Sequence, residues 1–312
     1  MSAHAEGSER VHLLVPGAAG GGWDTTARGV GAALREAGLA DVVSFENMSG
    51  ASGARAVTSL VEGAAQKRHV LMVSSTPIVV RSLMPVFQQN WRDLTPIAAV
   101  VGDYGIVAVR SDSPFTTLEG LLNAFREDPR RLKIAGGSNR GGMDHLIAGL
   151  MLQAAGLDPR AARYVPYDAG GRALLALLGG ETPVMTATLG DALTTVRAGR
   201  VRLLALAAPE RSPDVPDVPT FRELGYDVAF VNWRGFFGPP GLPADLRDRH
   251  AQMLLALEPT AAWERVRARH GWVNNFIGGE AFAEYLVEQE AQTATLMRRL
   301  GFLESSSAAG RL

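Results

Sequence analysis

The chain has 312 residues, 46% of them hydrophobic, so it can bury a sizeable core and is long enough for about two domains. Its 31 Lys and Arg balance 32 Asp and Glu in mixed order, which excludes a broad basic field for nucleic acid and a polybasic block for a membrane surface. The absence of cysteine excludes disulfides, thiolate nucleophiles and cysteine zinc sites together.

In chain order, the first ten residues are polar with no apolar h-region, and a secretory signal is expected to have been removed ahead of residue 1. A strand at 12–16 runs into a glycine-rich turn and then a helix. That helix has apolar positions at Ala27, Val30, Leu34 and Ala37, and Gly38 closes it. Strands follow at 42–46, 69–75 and 98–109, the last interrupted by Gly102 and Gly105. Thr116-Thr117-Leu118-Glu119 reads as a capping box opening the next helix. After a strand at 132–135 and a second glycine-rich turn come strands at 184–188, 201–207 and 230–237, with Gly179 and Gly199 stopping helices between them. The last third is mostly helical, at 244–257, 261–270 and 280–300, with one short strand at 272–277. Residues 304–312 are rich in Ser, Ala and Gly and read as a disordered tail. Alternating strands and helices predict an α/β protein with largely parallel sheets. No apolar run reaches the roughly 18 to 20 residues of a membrane span.

Two stretches share one pattern. Gly21-Gly22-Trp23-Asp24 and Gly141-Gly142-Met143-Asp144 each pair two glycines with a large residue and an aspartate, and a further glycine follows five residues on. Each lies between an apolar strand and a helix. Glycine lets a ligand approach the backbone, and the first helical turn offers N–H groups backed by the positive end of the macrodipole. Such an end favours a carboxylate or phosphate, and two of them facing each other would grip a ligand with at least two acidic groups.

Familiar phosphate and catalytic motifs fail. Thr25 stands where a dinucleotide fingerprint needs its third glycine, and Trp23 and Asp24 stand where a P-loop needs Lys and Ser or Thr. The six histidines show no ligand spacing, no G-x-S-x-G elbow or H-E-x-x-H is present, and no cofactor is expected. Asp24 and Asp144 read as helix-capping carboxylates that shape the site rather than touch the ligand. Trp23 is either a cleft wall or a helix contact. His145 either donates to a carboxylate or packs. Arg140 either pairs with a carboxylate or faces solvent. Arg28 reads as one half of an ion pair, on the surface or between lobes.

The motifs together resemble the substrate-binding proteins of tripartite tricarboxylate transporters, also called Bordetella uptake receptors, over residues 11 to about 302. The resemblance rests on Gly20-Gly21-Gly22-Trp23-Asp24-Thr25-Thr26-Ala27-Arg28, Glu46-Asn47 with Gly50-Ala51-Ser52-Gly53, and Leu94-Thr95-Pro96-Ile97-Ala98. It continues through Gly136-Gly137-Ser138 with Gly141-Gly142-Met143-Asp144-His145, then Ala198-Gly199-Arg200-Val201-Arg202-Leu203-Leu204-Ala205. Asp217-Val218-Pro219-Thr220 and Asn232-Trp233-Arg234-Gly235 with Pro239-Pro240-Gly241 complete it. The forms of the two loops are similar to the citrate-type branch, from which Gly17-Ala18-Ala19, Asn139-Arg140 and 186–191 depart.

The resemblance implies a type II periplasmic binding protein fold, with two lobes of mixed, mostly parallel sheets and two hinge crossings. Lobe one is expected at 1–103 and 228–304, lobe two at 104–227, and the tail at 305–312. The implied first carboxylate loop is Ala19, Gly20, Gly21, Gly22, Trp23, Asp24 and Thr25, with Ser75 and Thr76 lining the cleft. The implied second loop is Ser138, Asn139, Arg140, Gly141, Gly142, Met143, Asp144 and His145. The function implied is a monomeric periplasmic receptor that binds a di- or tricarboxylate such as citrate, delivers it to integral membrane permease subunits, and binds no nucleic acid. The rival class is an enzyme acting on an acidic small molecule, for which only His145, Asp24 and Asp144 offer a base or nucleophile.

Overall fold

A computed structural model describes residues 10–84, 88–130 and 132–303. The tail expected at 305–312 lies outside them. Two compact units form: residues up to Gly102 with Trp233–Leu286, and Asp103–Asn232 with residues from Val287 on.

The first unit is built on β1 (Arg10–Val15), β2 (Val42–Asn47) and β3 (Val70–Ser75), with β2–β1–β3 paired in parallel. β9 (Val231–Gly238) runs antiparallel to β3, and β10 (Val273–Gly278) runs antiparallel to the first half of β4 (Thr95–Arg110). The apolar face of α1 (Gly22–Glu36) sets Ala27, Val30 and Leu34 into one core with Val11, Leu13, Val73 and Trp263. Those residues recur at three and four, the spacing that stacks side chains on one helix face. A second core gathers Leu14, Met72, Trp233, Phe237 and Phe282 beneath α2 (Ala54–Glu62) and α3 (Thr76–Ser82).

In the second unit, β6 (Arg163–Pro166), β5 (Lys133–Gly136) and β7 (Val184–Thr188) pair in parallel. The second half of β4 runs antiparallel to β7 and to β8 (Val201–Leu206). The helices α4 (Leu118–Glu127), α5 (Met143–Ala154), α6 (Gly170–Leu178) and α7 (Leu189–Arg197) flank this sheet. The chain continues through α8 (Ala244–Leu257), α9 (Ala261–His270) and α10 (Glu280–Arg299).

Four expectations need correction. The sheets are mixed rather than largely parallel, because β4 and β9 take antiparallel partners and apolar periodicity does not encode the partner's direction. The chain crosses between units three times, after Gly102, after Asn232 and inside α10 after Leu286. Residues from Val287 on therefore belong with the second unit, where Leu300 fills the space beside Gly149. Finally, the cap of α4 is Thr117, which accepts from the Gly120 N–H at 3.1 Å, one residue later than the capping box placed it. Glu119 is engaged instead by Arg126 and Tyr226.

Candidate functional site

The two glycine loops have the same backbone. After β1, Gly20 takes φ +81°, Gly21 is the N-cap with φ −79° and ψ 170°, and α1 begins at Gly22. After β5, Gly141 takes φ +79°, Gly142 is the N-cap with φ −77° and ψ 179°, and α5 begins at Met143. The left-handed angle costs a residue bearing a Cβ roughly 1–2 kcal/mol, so Gly20 and Gly141 are the positions that require glycine. Each N-cap N–H closes a tight turn, Gly21 onto the Ala18 carbonyl at 3.3 Å and Gly142 onto the Asn139 carbonyl at 2.8 Å.

A side chain one turn into each helix reaches back to the left-handed glycine. The Gly20 N–H donates to Asp24 Oδ2 at 2.8 Å, and the Gly141 N–H donates to His145 Nδ1 at 2.8 Å. The structural equivalence is therefore Gly20-Gly21-Gly22-Trp23-Asp24 with Gly141-Gly142-Met143-Asp144-His145. It is one residue off the sequence match, which paired Asp24 with Asp144 because the letters agree while the backbone angles do not.

In the first unit Asp24 is buried and accepts from Gly20, from Arg28 Nε at 2.9 Å and from Asn47 Nδ2 at 3.0 Å. Burial pushes its pKa up, but these hydrogen bonds outweigh it and the net shift is down from 3.8, so the carboxylate stays ionised. Arg28 thus forms its ion pair within its own helix, i to i+4. Trp23 donates from Nε1 to Ser75 Oγ at 2.9 Å and lies against Gly17, tying the loop to the end of β3. Thr25 donates its N–H to the Gly21 carbonyl at 2.9 Å, Ala19 is exposed, and the buried Thr76 hydroxyl has no hydrogen-bond partner. The first-turn N–H groups of Gly22, Trp23 and Asp24 have no acceptor within the helix.

In the second unit Ser138 Oγ accepts from the Asp144 N–H at 3.0 Å, and the Tyr164 hydroxyl donates to the Ser138 carbonyl at 2.7 Å. Arg140 is exposed and donates from Nη2 to the Tyr164 carbonyl at 3.0 Å. The Asp144 carbonyl accepts from Thr186 Oγ1 at 2.8 Å. His145 is buried between the Tyr164 and Phe302 rings, and burial, then the Arg140 charge, lowers its pKa to about 4. Met143 and Asp144 are buried in the first turn of α5.

Sequence reasoning missed several residues that set these loops. Arg234 is buried in β9, donates from Nη1 to the Gly22 carbonyl at 2.6 Å and to Thr26 Oγ1 at 3.1 Å, and stands over the Trp272 ring. A Cβ on Gly22 would lie 2.7 Å from that guanidinium, so Gly22 is glycine to admit Arg234. The signal was present as an arginine inside an otherwise apolar strand. Tyr164 was missed with its strand, which is only four residues long. Arg81, also buried, donates to the Ser52 carbonyl within a turn where Ala51 and Ser52 both have positive φ. A Cβ on Gly142 would stand 2.8 Å from the Asn139 carbonyl oxygen, so this glycine answers to its own loop.

Among the described residues no cluster of three or more His, Asp or Glu could hold a metal, and no helix is long and apolar enough to cross a membrane. The geometry is one of backbone donors presented at helix starts, with Asp24 and His145 committed to holding them.

Residues 26–270 match the model of the tripartite tricarboxylate transporter family receptor. The chain belongs to this family. It is 30% identical over 248 residues to the protein of the tcbD-tcbE intergenic region of Pseudomonas sp. (strain P51), covering 78% of this chain and 71% of that one. Among solved structures it is similar to MatC from Rhodopseudomonas palustris with bound malate, at 25% identity and TM-score 0.79, over 92% of this chain and 98% of that one. A second R. palustris protein, solved with adipate, shares the fold at TM-score 0.84 and 22% identity, over 94% and 97%. The receptor has the α/β fold of periplasmic binding proteins and is not an enzyme.

Proposed function

We propose that the receptor captures a di- or tricarboxylate in the periplasm and delivers it to the membrane permease subunits of a tripartite tricarboxylate transporter. The observation that carries this reading is the twin loop, with φ +81° at Gly20 and +79° at Gly141, each ahead of a helix start where the N–H groups of Gly22, Trp23 and Asp24, and of Met143, have no acceptor within their own helix. Ala19 to Thr25 with Ser75 and Thr76, and Ser138 to His145, are the proposed ligand-binding segments. Within them Asp24 and His145 hold the loops while backbone N–H groups receive the acid. Micromolar capture corresponds to about −8 kcal/mol, within reach of a few charge-assisted hydrogen bonds of roughly 1.5–3 kcal/mol each after ordering costs.

Arg140 already donates to the Tyr164 carbonyl, which favours a dicarboxylate over citrate because the third acid group has no committed cation. The malate held by MatC accords with that choice. Calorimetry with malate, adipate and citrate on the wild type, Gly21→Val and Arg140→Ala tests it. Malate should bind the wild type more tightly than citrate, Gly21→Val should lose at least about tenfold, and Arg140→Ala should change malate affinity by less than about tenfold. Absence of binding by all three acids, or normal binding by Gly21→Val, would refute the reading.

A further inference from the structure

The ring of His145 is held face to face on both sides. Tyr164 of β6 stacks at 4.3 Å and 26°, and Phe302, in the segment after α10, stacks at 4.2 Å and 24°. The Phe302 and Leu303 N–H groups donate to the Met297 carbonyl at 2.8 and 3.2 Å, so the segment is fastened to the end of α10. Met297 Cε also reaches Gly141, 3.7 Å from where a Cβ would stand. Between these contacts Nδ1 receives the Gly141 N–H at 2.8 Å. A ring nitrogen can accept only while unprotonated, so this bond requires a neutral imidazole with its proton on Nε2. A second proton would set N–H against N–H and release the left-handed turn.

We propose that Phe302 is a positioning residue for the second glycine loop: by stacking on His145 it keeps that ring an acceptor for the Gly141 N–H and so fixes the turn that presents the α5 N-terminus. Among the described residues the charge acting on the ring is Arg140 from the loop, the titratable group stacked on it is Tyr164 from β6, Asp144 precedes it in α5, and Phe302 contributes an uncharged ring. Burial supplies the first cause that lowers the His145 pKa from 6.5 to about 4, and Phe302 provides one wall of that burial. Opening that wall admits water to the ring and restores its ordinary basicity. The consequence for binding rests on the carboxylate reading, but the effect on the ring and on Gly141 does not.

The test uses the full chain as wild type, Phe302→Ala, Phe302→Leu and Phe302→Tyr. The leucine variant, smaller than phenylalanine and without a flat ring face, opens the same wall less drastically should the alanine variant fail to fold, and tyrosine restores a stacking ring. Long-range nitrogen–proton spectra of the imidazoles report tautomer and titration, hydrogen exchange reports the Gly141 amide, and calorimetry with malate reports binding at about pH 5.5 and about pH 8. In the wild type and in Phe302→Tyr, His145 should remain neutral with a bare Nδ1 across that range. In Phe302→Ala or Phe302→Leu it should titrate nearer 6.5, with Gly141 exchanging at least about tenfold faster. Malate affinity in those variants should fall about tenfold further at the lower pH, whereas a purely structural loss would weaken it equally at both. A protonated Nδ1 in the wild type, or unchanged titration and exchange without the Phe302 ring, would overturn the proposal. Wild-type protein that binds none of malate, adipate and citrate while the ring and exchange results hold would overturn the carboxylate reading and leave the positioning role standing.

Discussion

At Asp24 two interactions of different strength meet. The ion pair with Arg28 involves an arginine side chain half exposed to solvent, a setting in which such pairs contribute about 0–1 kcal/mol. The Gly20 N–H to the buried carboxylate is charge-assisted and part-buried, a setting nearer 1.5–3 kcal/mol. Arg28→Ala should therefore cost less than about 1 kcal/mol and Asp24→Ala about 2–3 kcal/mol, read by urea unfolding. Equal costs would mean that the ion pair, not the loop bond, is what Asp24 provides. Because the folded-state pKa lies below 3.8, the carboxylate's contribution is present above that value and lost as pH falls through the folded pKa. The gap between wild type and Asp24→Ala should accordingly close in strong acid. The glycines separate in the same way. Gly20→Ala should cost about 1–2 kcal/mol from backbone strain alone, since nothing lies within 4 Å of its Cβ position. Gly142→Ala, at an ordinary φ, instead forces its Cβ against the Asn139 carbonyl.

At the scale of elements, the long strands and amphipathic helices could be read from the sequence because burial imposes period and apolar runs. The first helix shows its apolar face directly, and the run at 98–109 continues through Gly102 and Gly105 as one strand in the structure. The strand at Arg163–Pro166 was illegible, being too short to show a period, and Tyr164 was lost with it. The α4 cap was read one residue out, and the two glycine loops were matched one residue out of register, because identical residue types in a row, Thr116-Thr117 and Gly20-Gly21-Gly22, leave the backbone angles to decide. Among the proposed site residues, Trp23 and Ser75 come together as a hydrogen-bonded pair, whereas the buried arginines Arg81 and Arg234 were given no role in the site, Arg234 appearing only within a motif of the resemblance. Their partners are carbonyls and hydroxyls brought near by the fold, and no local spacing announces those. The α4 register gives a compact test. Thr117→Ala should lower stability by about 1 kcal/mol, while Thr116→Ala should leave it within about 0.5 kcal/mol, measured by thermal or urea unfolding. The reverse order would restore the capping box beginning at Thr116.

For the whole molecule, each unit carries a histidine with a depressed pKa. His145 in the second unit and His270 in the first both have pKa values lowered from 6.5 to about 4, chiefly by burial and then by neighbouring arginines. The unfolded chain takes up these protons below 6.5 and the folded chain does not until about 4, so stability is full above the unfolded value and declines as pH falls through that window. Melting temperature measured from pH 7 downward should fall across that interval, and His145→Gln should flatten part of the decline. A melting temperature constant between 6.5 and 4 would contradict the buried neutral rings. The receptor's central property, in this account, is an anion held by backbone donors at glycine-loop helix starts. Its most direct measurement is an amide nitrogen–proton titration with malate that follows Gly22, Trp23 and Met143. Saturable downfield shifts at those amides, reproduced by adipate and absent with the uncharged dimethyl ester of malate, are predicted. Unmoved amides at saturating malate, or equal shifts with the ester, would contradict the account.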